Sequence, residues 1–404
     1  MTNACPALTR FPLEDREHPL EPPALYRWAR NNRPVYPVEL WNGQRAWLIT
    51  RYDDFQALLR DPRFSGSFAN PAFPAITEAR QRVDRQNRTF RGMDNPRHDL
   101  YRRMLVREFS TMRVAQLKPK IEETARQLVE DMARRGPPAD VVEDFAVKLP
   151  GIVLCDLMGA PRHDHPFLRK CVTVRHDMKQ TPSGVAQTSE ELFQYVLKLV
   201  ESKITSPGDD FLTRIYDQYV RTGALSVNEL VDIGAEILMA GFDTTANTIS
   251  LGTLLLLNHP TEAQKLRNDH ALIAQAVEEI LRYLSPNLFS PRLVALEDVE
   301  LRGEQITAGD GVFLLNPAVN RDESVFPNPD VFDISKDSSK QVAFGYGIHL
   351  CLGQMLARAE LQAAYLALLT GLPGLRLAVP EKDLTFKTNM QMHGVYKLPV
   401  AWGS

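Results

Sequence analysis

The stretch that most constrains the fold begins at Ser226-Val227-Asn228-Glu229. Serine followed three residues later by glutamate is a capping box, in which each side chain satisfies a free backbone N–H of the first turn. No proline interrupts the chain from there to Asn258-His259-Pro260. The pattern predicts one helix of over thirty residues, roughly 45–50 Å long at about 1.5 Å per residue. Such a helix should cross a whole domain. Its flanks, Ile237-Leu238-Met239 and Ile249 to Leu257, are apolar nearly all round, which places it inside the protein. In its middle stand Ala240-Gly241-Phe242-Asp243-Thr244-Thr245. An acid and two β-branched alcohols are poor choices for a buried helix interior. Threonine there can bond back to a carbonyl and bend the helix. A polar patch facing solvent would account for them, but the apolar flanks argue against it. Asp243 and Thr244 then form an acid–alcohol pair placed for proton delivery.

The second constraint is Phe344-Gly345-Tyr346-Gly347-Ile348-His349-Leu350-Cys351-Leu352-Gly353. Glycines allow positive φ and let the backbone approach a flat ligand closely. A helical pattern follows from Leu352 to Leu361. Cys351 should sit where the tight loop enters that helix. Its thiolate would be stabilised there by the dipole and by free N–H groups. A thiolate so held can be the axial ligand of a haem iron. An isolated cysteine is more often simply buried. The spacing Phe-Gly-x-Gly-x-His-x-Cys-x-Gly changes that balance. It resembles the haem-binding loop of the cytochrome P450 family and matches it at every fixed position.

Composition sets the frame for that resemblance. The chain has 404 residues, 44% of them hydrophobic, enough for a large core. No long linker is present; Gly136-Pro137-Pro138 and Ser206-Pro207-Gly208 read as ordinary loops. Residues 1–404 are therefore expected to form a single domain. A net charge of −3 gives no reason to expect nucleic acid as a partner. Cys5, Cys155, Cys171 and Cys351 have neither zinc-like spacing nor the density of a disulfide framework. Met1 to Pro6 lacks a basic start and an apolar run. The most apolar helix is broken by Asp243 and Asn247, so no membrane span is expected. A soluble, cytoplasmic protein follows, closer to the bacterial type of the family than to a microsomal one.

In chain order, Pro22 to Asn31 reads as a helix, and Asn42-Gly43 between two strand patterns as a hairpin. Tyr52 to Arg60 reads as a short helix. Gly66 to Gly92 has weak periodicity and reads as an irregular functional loop, which the resemblance puts over the substrate pocket. Pro96 to Phe109 is a basic helix whose His98 and Arg102 share one face. His163 to Lys179 and Ser189 to Lys203 flank a Gln180-Thr181-Pro182-Ser183-Gly184 breaker, an arrangement that suits a mobile lid or an ordinary helical hairpin. Leu384 to Trp402 reads as strands around a turn near Met392.

The resemblance covers essentially the whole chain. It implies a mainly α-helical fold with small β-sheets, and haem b between the long helix and the cysteine loop. Cys351 would ligate iron. His98, Arg102, Arg292 and His349 match positions that hold the haem propionates, and Phe344, Gly345, Gly353 and Ala240 lie along the haem. Glu279 and Arg282 match the pair that braces the core; a basic residue common in the family's third position is replaced by Val331, and a substitute is expected. Met239, Ala240, Phe289 and Met392 would give the pocket apolar walls. Asn287 and Ser290 either face that pocket or bond to their own backbone, as such residues beside prolines do.

The implied activity is monooxygenation of a medium-sized, partly polar organic substrate by O₂, of natural-product or xenobiotic type. Asp243 and Thr244 would manage protons. Electrons would come from a separate ferredoxin or flavodoxin with its NAD(P)H-dependent reductase, received at the basic face of Arg103, Arg107 and Arg113. The alternatives are a nitric-oxide-reducing or peroxide-using haem-thiolate relative, or a haem sensor or electron carrier.

Overall fold

The computed structural model describes residues 9–13, 16–86 and 89–403. Met1 to Pro6, where no leader is expected, lies outside them. The long helix spans Val227–Asn258, 32 residues, and starts on the full capping box between Ser226 and Glu229. Leu230, Val231, Ile249, Leu251, Leu254 and Leu255 on it have no exposed surface. Burying each such side chain contributes about 1.5–3 kcal/mol before entropy is counted. The helix is enclosed by Lys148–Met158, His165–His176, Pro182–Thr205, Ile273–Leu284 and Gln354–Gly371. Burial on all sides explains why its apolar residues follow no single stripe.

A six-stranded sheet stands beside the helices in the order Thr9–Arg10, Val35–Glu39, Arg45–Ile49, Gly311–Leu314, Arg292–Ala295, Phe64–Ser65. Its hairpin pairs Val35 with Ile49 and Glu39 with Arg45, and Gly43 turns it at φ +79. Three short strands, Arg376–Leu377, Pro399–Ala401 and Ala139–Asp140, make a second sheet. Of the strands expected from Leu384 to Trp402, Pro399–Ala401 forms, while around Met392 there are isolated bridges instead, Asp177 to Met390, Asn287 to Met392 and Phe386 to Val395. The first two tie the C-terminal turn to the residue after His165–His176 and to Asn287, which lines the cavity described below.

Two local expectations need correction. The stretch read as irregular contains a helix, Glu78–Gln86. Its buried face is Ala79, Arg80, Val83 and Asp84, so half of that face is an ion pair and hydrophobic periodicity does not show it. The second correction concerns Pro182, read as part of a breaker. It sits in the first turn of Pro182–Thr205, capped by the Thr181 hydroxyl, which accepts from the Gly184 N–H at 3.1 Å. Proline is tolerated there because the first-turn N–H has no helical partner to lose.

The brace is complete without a third basic residue. Arg282 donates to Glu279 at 2.7 and 2.8 Å, and to the carbonyls of Asn320 (3.0 Å) and Pro329 (2.8 Å). Val331 is 56% exposed and takes no part. The place is filled by the Ser338 hydroxyl and the Asp333 N–H, both donating to Glu279.

Candidate active site

The cysteine loop is built by two left-handed glycines, Gly345 (φ +77) and Gly347 (φ +70). They fold the chain so that the Cys351 N–H donates to the Phe344 carbonyl at 2.9 Å. The helix Gln354–Gly371 starts three residues later. The Gly353 N–H donates to the Cys351 sulfur. Burial nevertheless pushes the thiol above its ordinary value, with that N–H, Arg102 and Arg358 pulling the other way. Bound iron would favour the thiolate further, since a coordinating thiol is deprotonated.

Cys351 opens on a cavity of about 360 Å³. Its floor is the cysteine loop, including Phe344, Gly345, His349 and Gly353; Ala240, Thr244 and Thr248 of the long helix line it as well. A side chain at Gly353 would meet no protein atom within 4 Å. At the rim, His98 is buried and neither ring nitrogen has a hydrogen-bond partner. Its Nδ1 stands 3.7 Å from Asp99, beyond hydrogen-bond reach. His349 Nε2 is likewise unpartnered, and the two imidazoles meet edge to face at 4.5 Å. Desolvation, then the neighbouring His98, lowers His349 to about 4. Arg102 has no carboxylate partner among the described residues; burial lowers it and Cys351 raises it. Unpaired donors around a cysteine-floored cavity fit a flat, iron-bearing group with anionic edges, which is what haem brings. Arg292 lines the cavity too, but its guanidinium is engaged by Asp84 (2.8 Å) and the Pro74 carbonyl (2.7 Å).

On the long helix, the acid and alcohol take different directions. Thr244 lines the cavity and donates its hydroxyl hydrogen to the Ala240 carbonyl at 2.7 Å. Asp243 is 7% exposed and meets His176 Nδ1 at 3.1 Å and Lys387 Nζ at 3.7 Å. Burial would raise it, but the His176 hydrogen bond and Lys387 prevail and hold it at about 2. Burial lowers His176 toward its neutral form. The carboxylate therefore stands ionised between a neutral imidazole and a lysine.

Met239, Ala240, Asn287, Phe289, Ser290 and Met392 all line the cavity. Neither the Asn287 nor the Ser290 side chain hydrogen-bonds to any described residue. The backbone-turn alternative for them is therefore not what the structure contains. Residues that sequence reading missed also line it: Arg80, Arg91, Arg175, His176, Glu236 and Glu360. Desolvation raises Glu360 to about 8, so it is protonated at neutral pH. Glu236 lies seven residues before Asp243 on one helix, a spacing that could have signalled it.

Fold and site together define a haem-thiolate protein. The family model for cytochrome P450 matches residues 154–372. The chain is 40% identical over 395 residues to pentalenic acid synthase of Streptomyces avermitilis, covering 97% of each protein. It is 37% identical over 392 residues to the 20-oxo-5-O-mycaminosyltylactone 23-monooxygenase of Streptomyces fradiae, covering 96% of this chain and 91% of that one. The crystal structure of GfsF, a cytochrome P450 of Streptomyces halstedii, superposes with a TM-score of 0.90 at 35% identity, over 98% of this chain and 100% of that one. The chain belongs to the cytochrome P450 family and is a P450 monooxygenase with a haem-thiolate cofactor, using a small-molecule substrate, O₂ and a redox partner. Among the described residues no helix is long and apolar enough to cross a membrane.

Proposed function

We propose that this single P450 unit, residues 1–404, holds haem b and inserts one oxygen atom into a medium-sized, partly polar natural product or xenobiotic. The observation that carries the reading is the pairing of a partly buried Cys351 floor with Thr244 on the facing helix around one cavity. Haem bound there supplies O₂ activation and oxygen insertion, drawing two electrons and two protons from outside. Cys351 would hold the haem iron as its thiolate, and His98, Arg102 and His349 would hold the propionates. Thr244, its own hydrogen committed to Ala240, keeps lone pairs to accept a hydrogen bond from a water. Asp243, held low by the His176 hydrogen bond and Lys387, stabilises positive charge passing inward by way of those two groups.

Asn287 and Ser290 offer an amide and a hydroxyl, without a side-chain partner among the described residues, to a polar substrate group within walls of Met239, Ala240, Phe289 and Met392. The reductant is an acidic ferredoxin or flavodoxin with its NAD(P)H-dependent reductase. Arg103 and Arg107 are exposed beside Leu100, Val106 and Met112, an apolar patch with a cationic rim. Arg113, 3.4 Å from Asp209, is less available than the sequence implied.

The test is coupling. In Thr244→Ala, haem content and substrate binding should hold while reducing equivalents pass to peroxide; Asp243→Asn should slow turnover about tenfold or more. Unchanged coupling and turnover in both variants would remove these residues from the mechanism.

A further inference from the structure

Four guanidiniums line one end of the cavity, two of them carried by Glu78–Gln86 and His165–His176: Arg80, Arg91, Arg175 and Arg292. Two carboxylates answer them. Asp84 lies 2.8 Å from Arg80 Nε and 2.8 Å from Arg292. Glu236 lies 2.7 Å from Arg91 Nε and 3.7 Å from Arg175. Among the described residues that leaves two cations in excess. Were Arg292 to turn to a haem propionate, the other three would still exceed the same two carboxylates by one. The hydrogen-bonding is also incomplete. Arg80 Nε and Arg91 Nε, close as they are to carboxylates, make no aligned hydrogen bond. Arg80 gives Nη1 to the Gln391 amide at 2.9 Å. The Arg175 side chain is 14% exposed and hydrogen-bonds to no described residue. Desolvation lowers Arg175 to about 10, with Glu236 opposing and Arg80 and Arg91 adding to it. Arg80 and Arg175 are largely buried while the Arg91 side chain is 38% exposed, and unmatched charge at the two buried positions is unfavourable unless something of opposite sign occupies the site. Guanidinium forks match the oxygens of carboxylates and phosphates.

We propose that Arg175, Arg80 and Arg91 form an oxyanion subsite, so that the substrate carries a carboxylate or phosphate and binds with that group among these arginines and its apolar body toward Thr244. This deepens the monooxygenase reading and rests on it only in taking the cavity as the substrate chamber. The three arginines come from three separate segments: the helix Glu78–Gln86, the turn Phe90–Gly92 and the last turn of His165–His176. An anion among them draws those segments together over the cavity.

The experiment uses the haem-loaded protein and matched pairs of aryl and polycyclic carboxylic acids with their methyl esters, titrated by the haem spin-state shift and by calorimetry. NADH and inorganic phosphate form a second arm that separates a phosphate occupant from a carboxylate one. The preferred acids should bind at least tenfold more tightly than their esters, and less so as salt rises. Arg175→Gln and Arg80→Gln should each remove that preference while ester affinity stays within twofold; Arg175→Lys should keep most of it. Nucleotide or phosphate binding lost in Arg175→Gln, without any acid preference, would keep the subsite and make phosphate its occupant. Acids, esters and phosphates binding without preference, or acid and ester weakened equally in both Gln variants, would overturn the proposal. The ferrous–CO band and turnover of an ester would be untouched by that failure, whereas their absence would sink the monooxygenase reading itself.

Discussion

The two ends of the cavity differ in how their polar groups are satisfied. Around Cys351, among the described residues, His98 has two unpartnered ring nitrogens, His349 has one, and Arg102 faces no carboxylate. At the arginine end the charges are largely answered by one another: Arg80 and Arg292 by Asp84, Arg91 and Arg175 by Glu236, Asp243 by His176 and Lys387. The first end is organised for a group the chain does not itself supply. The second is a self-paired network with a positive remainder.

That contrast can be broken most forcefully at Asp84, whose side chain is 3% exposed. Asp84→Asn leaves Arg80 and Arg292 without their shared anion and should destabilise the protein by about 3–5 kcal/mol, read as a fall in Tm, with or without haem. Its pH dependence has a definite sign. Burial would raise Asp84, but Arg292, Arg80 and Arg91 prevail and hold it at about 2, below the ordinary 3.8. A carboxylate lowered on folding stabilises above its unfolded value and loses that contribution as pH falls through its folded one. The gap between parent and variant should therefore be full above about pH 4 and shrink toward pH 2. A gap independent of pH would mean that Asp84 is not an ionised partner.

At the other end, His98→Phe should behave oppositely. Its ring packs near Phe90, centroids 6.3 Å apart, and has no protein hydrogen bond to lose. Stability of the haem-stripped protein should hold, while haem passes to an acceptor protein about tenfold faster, a difference of about 1.4 kcal/mol. Unchanged haem release would remove His98 from the cofactor's surroundings.

The same contrast explains what the sequence revealed. The cysteine end is written in ten consecutive residues, Phe344 to Gly353, because a tight loop entering a helix must be local. The capping box at Ser226 and the Asn42-Gly43 hairpin are legible for the same reason. The arginine end draws Arg80, Asp84 and Arg91 from one part of the chain and Arg175 and Glu236 from two others far from it. On the helix Glu78–Gln86, buried Arg80 and Asp84 take places where apolar residues would have announced it. Sequence reading found the aspartate–threonine pair but not its division, Thr244 toward the cavity and Asp243 toward His176, since that direction depends on a partner 67 positions away.

The central claim is that Cys351 holds the iron as its thiolate. The ferrous–CO spectrum of the parent beside Cys351→His and Cys351→Ser tests it most directly. The parent should absorb at the position typical of thiolate ligation, Cys351→His should retain haem while losing that band, and Cys351→Ser should lose it as well. A Cys351→Ser protein with the parent's thiolate spectrum would contradict the assignment.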